Sequence, residues 1–302
     1  MKSTIGIVGR GFVGTALLEG MKHAFNVASY DKAKGWQFEG DVKSQNLAVE
    51  HGYDSLANAV PLQFMAQKIS SDAIFICLPT PMNPDGTCNT DIVESVIKEL
   101  NDFSIGIQPP TLVIKSTVIP GTTERLNNTY NNVRVCFNPE FLTEANSIND
   151  FKNQDRIIIG GPHEATSDLK QIYQTAYPSV PVTKTSSTIA ELVKYTTNCF
   201  LATKVSFANE LKRICDGLEV DYDKVIEYAT KDKRLGNSHW SVPGPDGRHG
   251  FGGSCFPKDL NGLVSLAKEL GIGCPTMEGA WETNLEVRPE KDWESLKGRA
   301  VL

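Results

Sequence analysis

Six residues near the N-terminus, Gly9-Arg10-Gly11-Phe12-Val13-Gly14, constrain the fold of this chain more than any other stretch. They follow an apolar, β-prone run from Thr4 to Val8 and lead into Thr15 to His23, which reads as a helix. Phe25 to Tyr30 reads as the next strand and ends at Asp31, about twenty residues past the first glycine. Strand, glycine turn, helix, strand and acid in that register predict a dinucleotide-binding βαβ unit. Gly9, Gly11 and Gly14 permit a tight turn and the close approach of a pyrophosphate to a helix that opens at Phe12 and Val13. Asp31 is placed to accept hydrogen bonds from the adenosine ribose and to repel a 2′-phosphate, which favours NAD over NADP. Lys32 and Lys34 soften that preference.

Further apolar runs at Ala73 to Leu78, Thr111 to Lys115, Arg134 to Phe137 and Arg156 to Ile159 are separated by helical stretches such as Thr90 to Phe103. Near-continuous apolar strands predict a parallel sheet covered on both faces. The expected fold class is α/β, with a Rossmann-like doubly wound parallel sheet over residues 1–186. Ligands of such sheets bind beyond the carboxyl ends of the strands. Three candidate loops fall there: Pro79-Thr80-Pro81, Ser116-Thr117-Val118, and Asn138 to Glu144.

From about Ser187 to Cys215 no proline or glycine interrupts a long helical pattern, which predicts a helix bridging into an all-helical central or dimerisation domain over residues 187–302. Lys194 and Asn198 are four apart on it and share a face. A glycine- and proline-rich loop is expected from Gly236 to Gly253, and a final helix from Leu260 to Leu270.

That loop ends in Phe251-Gly252-Gly253-Ser254-Cys255-Phe256-Pro257-Lys258-Asp259. Pro257 suits the first position of a helix, which puts Cys255 just before a helix N-terminus. There the macrodipole and the Lys258 ammonium both favour thiolate over thiol, and Asp259 adds a possible base. A lone cysteine is most often a small buried hydrophobe. These neighbours make Cys255 a candidate nucleophile instead.

With 302 residues, 40% hydrophobic and 22% charged, the chain is long enough for two ordinary domains. A formal net charge of −6 argues against a nucleic-acid surface. Seven cysteines without regular spacing do not suggest a disulfide framework, so a reducing cytoplasm is expected. Met1 to Thr4 runs directly into a strand without the apolar region of a signal peptide, and the longest apolar runs are too short to span a bilayer. No residue is assigned to a metal.

Taken in order, Gly9 to Gly14, Thr80-Pro81, Lys115 to Val118 with Gly121-Thr122, Asn138 to Glu144, Asp155-Arg156, Lys194 with Asn198, Arg234-Leu235-Gly236 and Phe251 to Asp259 resemble the UDP-glucose/GDP-mannose dehydrogenase family. The resemblance implies NAD-dependent oxidation of the C6 alcohol of UDP-glucose, twice, to UDP-glucuronate. It places Cys255 as the nucleophile that carries thiohemiacetal and thioester stages. Asp259 becomes the base acting through water, Lys194 and Asn198 the donors to developing oxyanions, and Glu144 with Thr117 the holder of the hydrolytic water. Thr80, Thr117, Glu144 and Lys258 are expected beside the cofactor. Glu140, Phe141 and Leu142 are expected to line the sugar-nucleotide site, with Glu144, Lys194, Asn198, Cys255 and the backbone at Gly252. Arg234 resembles the residue that reaches a neighbouring subunit, the alternative being a surface salt bridge. A homodimer or larger homo-oligomer is therefore expected.

Members of the family usually continue into a third domain that covers the nucleotide, and Leu296 to Leu302 resembles only its first strand. The UDP-binding domain is expected to be absent, either naturally or because the chain is part of a longer one. Ala145-Asn146 also departs from the family, which commonly has glycine after the residue corresponding to Glu144. Competing readings are a dehydrogenase of GDP-mannose or a UDP-N-acetylhexosamine, a non-catalytic NAD- or nucleotide-sugar-binding paralogue, and a β-hydroxyacid dehydrogenase that performs one oxidation.

Overall fold

A computed structural model describes residues 3–40, 62–63, 65–66 and 73–302; Met1 and Lys2 of the N-terminal segment read above lie outside it. The described residues fall into two compact units, 1–80 with 90–194 and 81–89 with 195–302.

The first unit is built on one sheet. Strands β1 (Thr4–Val8), β2 (Asn26–Asp31), β3 (Gly35–Glu39), β4 (Ala73–Ile76), β5 (Thr111–Ile114), β6 (Arg134–Phe137), β7 (Ile157–Gly160) and β8 (Val182–Thr185) lie in the order β3-β2-β1-β4-β5-β6-β7-β8. The strands from β2 through β1, β4 and β5 to β6 are parallel, as is the β7–β8 pair. β3 runs antiparallel to β2, and β7 meets β6 antiparallel through Phe137 and Gly160. The doubly wound α/β fold is therefore present on a mixed sheet rather than a wholly parallel one. For β3 the reason is local: a tight turn after Asp31 returns the chain as a hairpin, whereas a parallel return would need a crossover of a dozen residues or more.

Alternation along the strands sorts the core into two layers. Ile5, Ile7, Ala73 and Phe75 face helices α1 (Phe12–Met21) and α5 (His163–Ala176), where Leu17, Met21, Leu169 and Tyr173 receive them. Val8, Ile74, Ile76, Leu112 and Ile114 face α2 (Asp91–Phe103) and α3 (Thr122–Thr129), through Val93, Ile97, Leu100 and Leu126. Phe75 is fully buried, so Phe75→Ala costs about 3–5 kcal/mol. A short α4 (Ser147–Lys152) places Phe151 over Gly20 of α1.

The long helix α6 (Ser187–Gly217) runs through both units, with Lys194 closing the first and Tyr195 opening the second. Its 31 residues span about 46 Å. The second unit adds α7 (Tyr222–Ala229), α8 (Phe256–Glu269) and α9 (Pro275–Val287). Asp221 caps α7 by accepting from the amides of Asp223 and Lys224 at 3.0 and 3.3 Å. Tyr222, Trp240, Val242, Ala208 and Cys215 form its apolar cluster. The helix expected at Leu260 to Leu270 begins four residues earlier, with Phe256 rather than Pro257 as its first residue, and it is not the last: α9 follows. No helix among the described residues is long and apolar enough to cross a membrane, and none of the seven cysteines forms a disulfide.

Candidate active site

The first unit presents its loops at one edge. β1, β4, β5 and β6 are parallel, so Gly9, Thr80, Thr117 and the segment from Asn138 all follow strand carboxyl ends. Gly9 adopts a left-handed φ of 93° and its amide donates to Tyr30 O at 2.8 Å. At Gly14 a Cβ would fall 1.9 Å from Gly9 O, so only hydrogen fits where α1 meets the turn. Gly11 is the N-cap of α1 and offers no side-chain cap, and the space where its Cβ would lie is open for 4 Å. An uncapped helix N-terminus beneath open space fits a pyrophosphate.

Asp31 closes this site. Its Oδ2 accepts from the Arg10 amide at 2.7 Å, and its Oδ1 from the Ala33 and Lys34 amides at 3.0 and 3.1 Å. Burial opposes its charge, but these donors and the Lys34 ammonium outweigh it and hold the carboxyl below the usual range. Lys34 Nζ turns away to donate to Arg10 O at 2.6 Å, and Arg10 donates to the Lys34 and Gly35 carbonyls at 2.8 Å.

Beyond β5 and β6 the polar groups are buried and mutually paired. Lys194 Nζ donates to Glu140 O at 2.7 Å and to Glu140 Oε1 at 2.9 Å, while Glu140 Oε2 accepts from the Leu142 amide at 2.7 Å. Burial alone would raise the Glu140 carboxyl; the Lys194 charge and hydrogen bond, the Leu142 amide and the Lys115 charge instead bring it below the usual range. Lys115 Nζ donates to Asn138 Oδ1 at 2.8 Å, and the Tyr173 hydroxyl donates to the same oxygen at 2.5 Å. Burial pushes Lys115 down to about 8. Phe141 carries the Arg156 guanidinium 4.6 Å from its ring centre. A cavity of about 490 Å³ is lined by Glu140, Phe141, Leu142, Lys115, Asp155 and Arg156 among others. Thr117 is 7% exposed, and Glu144 opens an exposed 3-10 turn whose Thr143 is anchored through its amide and hydroxyl to Asp150.

In the second unit, Cys255 is half-buried and is the N-cap of α8, as the sequence predicts. Asp259 lies one turn in and is 1% exposed, with its amide donating to Cys255 O at 3.0 Å. Its Oδ1 accepts from Lys258 Nζ, and its Oδ2 accepts from Asn198 Nδ2 at 2.5 Å. Burial opposes the Lys258 charge, but Asp259 and the thiols of Cys255 and Cys88 raise its pKa, so the ammonium is retained. A cation thus persists within electrostatic reach of Cys255. The Asn198 amide is engaged with Asp259, and Lys194 with Glu140.

The loop before Cys255 rests on side chains that the sequence did not single out. Asn284 Oδ1 accepts from the Phe251 amide at 2.7 Å, and its Nδ2 donates to Phe251 O at 3.0 Å. Arg288, 1% exposed, donates to Asp292 and Asp246 at 2.6 Å and to His249 O at 3.1 Å. A Cβ at Gly252 would fall 2.4 Å from Arg288 Nη2 and from Asp292 Oδ1, which requires glycine for packing. The available signal was Pro275 opening a helical stretch, which predicts α9. Arg234 is exposed on a short 3-10 turn and forms an ion pair with Asp232.

A dinucleotide turn on a doubly wound sheet, followed by a helical unit with a cysteine at a helix N-terminus, defines the class: a Rossmann-type dinucleotide-binding protein with a candidate nucleophile in a second, helical unit. Its family is explicit: a model of the NAD binding domain of the UDP-glucose/GDP-mannose dehydrogenase family matches residues 3–177, and a model of that family's central domain matches residues 188–286. The chain belongs to this family. It is 34% identical over 227 residues to UDP-glucose 6-dehydrogenase TuaD of Bacillus subtilis (strain 168), covering 72% of this chain and 47% of that protein. It is 32% identical over 231 residues to GDP-mannose 6-dehydrogenase of Pseudomonas putida, covering 71% and 51%. The chain thus spans about half the length of these curated relatives. Among solved structures, it is similar to a UDP-glucose dehydrogenase from Pyrobaculum islandicum, with a TM-score of 0.76 and 29% identity, covering 98% of this chain and 71% of that one.

Proposed function

We propose that this protein is a cytoplasmic enzyme that oxidises UDP-glucose at C6 to UDP-glucuronate, using two NAD⁺ and one water and releasing two NADH. The observation that carries the reading is Cys255 at the N-terminus of α8, with Lys258 retained as a cation and Asp259 held by Asn198. A single oxidation of an alcohol has no use for such a thiol, which weighs against the β-hydroxyacid reading. UDP-glucose is preferred because the Bacillus subtilis relative carries that name.

Gly9, Gly11 and Gly14 would hold the pyrophosphate of NAD at the α1 N-terminus, and Asp31 would receive the adenosine ribose. When bound, NAD supplies the hydride acceptor for both oxidations. Asp259, through water, takes the hydroxyl proton as the first hydride leaves C6. The Cys255 thiolate then adds to the aldehyde carbon, forming a C–S bond and a thiohemiacetal. Lys194 and Asn198 stabilise the oxygen as negative charge develops there. Loss of the second hydride leaves a thioester. Water held by Glu144 and Thr117 cleaves the C–S bond, returning the thiol and leaving the carboxylate. Glu140, Phe141 and Leu142 position the sugar nucleotide.

The protein works as a homodimer. Phe200, Phe207 and Ile214 recur every seven residues on α6 and are 67%, 53% and 56% exposed, a seam suited to a second copy. Arg234 serves the partner's site.

The Pseudomonas putida relative favours a second reading, oxidation of GDP-mannose. NADH formation measured in parallel with UDP-glucose, GDP-mannose and UDP-N-acetylhexosamines decides between them. Turnover of UDP-glucose above the others is expected; none beside brisk turnover of another sugar nucleotide would overturn the choice.

A further inference from the structure

Glu191 is fully buried near the start of α6, yet its carboxylate serves a different element. Its Oε2 accepts from the Gly121 amide at 2.6 Å, and its Oε1 accepts from the Thr123 amide at 2.9 Å and the Thr123 hydroxyl at 2.6 Å. These donors open α3. The N-cap there is Gly121, held at φ 99° and lacking any side chain to serve the first turn. Glu191 is the missing cap, supplied from a distant part of the chain. Burial, with the nearby Glu124 charge, raises its carboxyl above the usual range although the three donors oppose that rise; those donors satisfy both of its buried oxygens.

The segment anchored in this way is the loop after β5. Its other end is fixed by Ser116, whose Oγ accepts from the Leu78 amide at 3.0 Å and donates to Leu78 O at 2.6 Å. Thr117 lies between the two anchors. Glu191 also precedes Lys194 by three residues, one turn of α6. One side chain thus ties the Thr117 loop to the stretch of helix that carries Lys194.

We infer that Glu191 is a positioning residue for the hydrolytic step: by capping α3 it fixes the Thr117 loop against α6 and so sets where the Thr117 hydroxyl holds water. The catalytic part rests on the function proposed above, whereas the anchoring of the loop does not. A merely structural role would lower stability without changing which chemical step is slow. A positioning role weighs most on the hydrolytic step, because the water that Thr117 holds is used only after both oxidations.

The test compares wild type, Glu191→Gln and Thr123→Val with NAD and UDP-glucose, following NADH by rapid mixing and the protein by intact mass. Glu191→Gln should keep the initial NADH burst, lose about tenfold or more in steady-state rate, and accumulate the sugar nucleotide on Cys255. Thr123→Val, which removes one donor and leaves the buried carboxylate two, should move the same way by about twofold to fivefold. Amide hydrogen exchange over residues 116–126 should rise in both variants while the β1 and β4 strands stay protected. Equal loss of burst and steady-state rate without the adduct, or unchanged exchange over 116–126, would overturn the inference. A wild type that reduces no NAD with any nucleotide sugar would instead remove the proposed function. The exchange measurement would then still decide whether Glu191 anchors the loop.

Discussion

Asn198 donates through Nδ2 to Asp259 Oδ2 at 2.5 Å, so α6 and α8 are joined one turn below the N-terminus that carries Cys255. The bond is buried at both ends, with Asn198 7% and Asp259 1% exposed. It leaves the other carboxylate oxygen to Lys258. Asp259→Asn would keep the shape and remove the charge, leaving Lys258 buried without its counter-ion. Breaking a buried ion pair from one side costs about 3–5 kcal/mol. Chemical denaturation should report a loss of that order, and kcat should fall at least about a hundredfold with loss of the base. Near-normal stability and rate together would show that the Lys258–Asp259 pair carries neither role.

Coenzyme choice should turn on Asp31. Its charge is sustained by the Arg10, Ala33 and Lys34 amides, while Lys34 and Arg10 bring cations to the same turn. Asp31→Asn removes the repulsion of a 2′-phosphate and leaves those cations. The ratio of NAD to NADP affinity, measured by fluorescence quenching, should fall about tenfold or more. An unchanged ratio would place coenzyme discrimination elsewhere.

Much of this architecture is legible in the sequence because its signals are local. The glycine turn, the strands at Ala73, Thr111 and Arg134, and the uninterrupted run from Ser187 each declare themselves within one contiguous stretch of chain. The β2–β3 hairpin is harder to read, because Gly-Trp-Gln-Phe-Glu is a half-buried edge strand whose partner is chosen by a turn. Long-range pairing is less legible still. Nothing in the spacing of Asn198 and Asp259, or of Glu191 and Thr123, shows that their side chains meet; that depends on how α6 packs within each unit. Arg288 and Asn284 are illegible in the sequence for the same reason, since each is an ordinary polar residue until the loop folds over it.

Lys115 makes a signed contribution to stability. Its folded pKa is depressed to about 8 from 10.5, so the unfolded chain binds more protons between those values. Stability from this group is therefore regained as pH rises from about 8 to 10.5. Below 8 the full penalty applies, on the order of 3 kcal/mol. Buried Cys77, pushed up to about 12 from 9.0 mainly by burial, works in the opposite direction above pH 9. The informative quantity is thus wild type minus Lys115→Met. That difference in unfolding free energy should shift in favour of wild type across pH 8 to 10.5, and a flat difference would contradict the assigned titration.

Association should depend on the exposed seam of α6. Phe207→Glu places a charge in the middle of the Phe200–Phe207–Ile214 repeat. Sedimentation should show a dimeric wild type and a monomeric variant with unchanged helical content. A variant that stays dimeric would assign the interface to another surface.

The central claim is that Cys255 holds the sugar carbon between two oxidations, and stoichiometry tests it most directly. Limiting UDP-glucose with excess NAD should yield two NADH per sugar and UDP-glucuronate in wild type, while Cys255→Ala forms no thioester and completes no cycle. One NADH per sugar in wild type, or full two-NADH turnover in Cys255→Ala, would contradict the account.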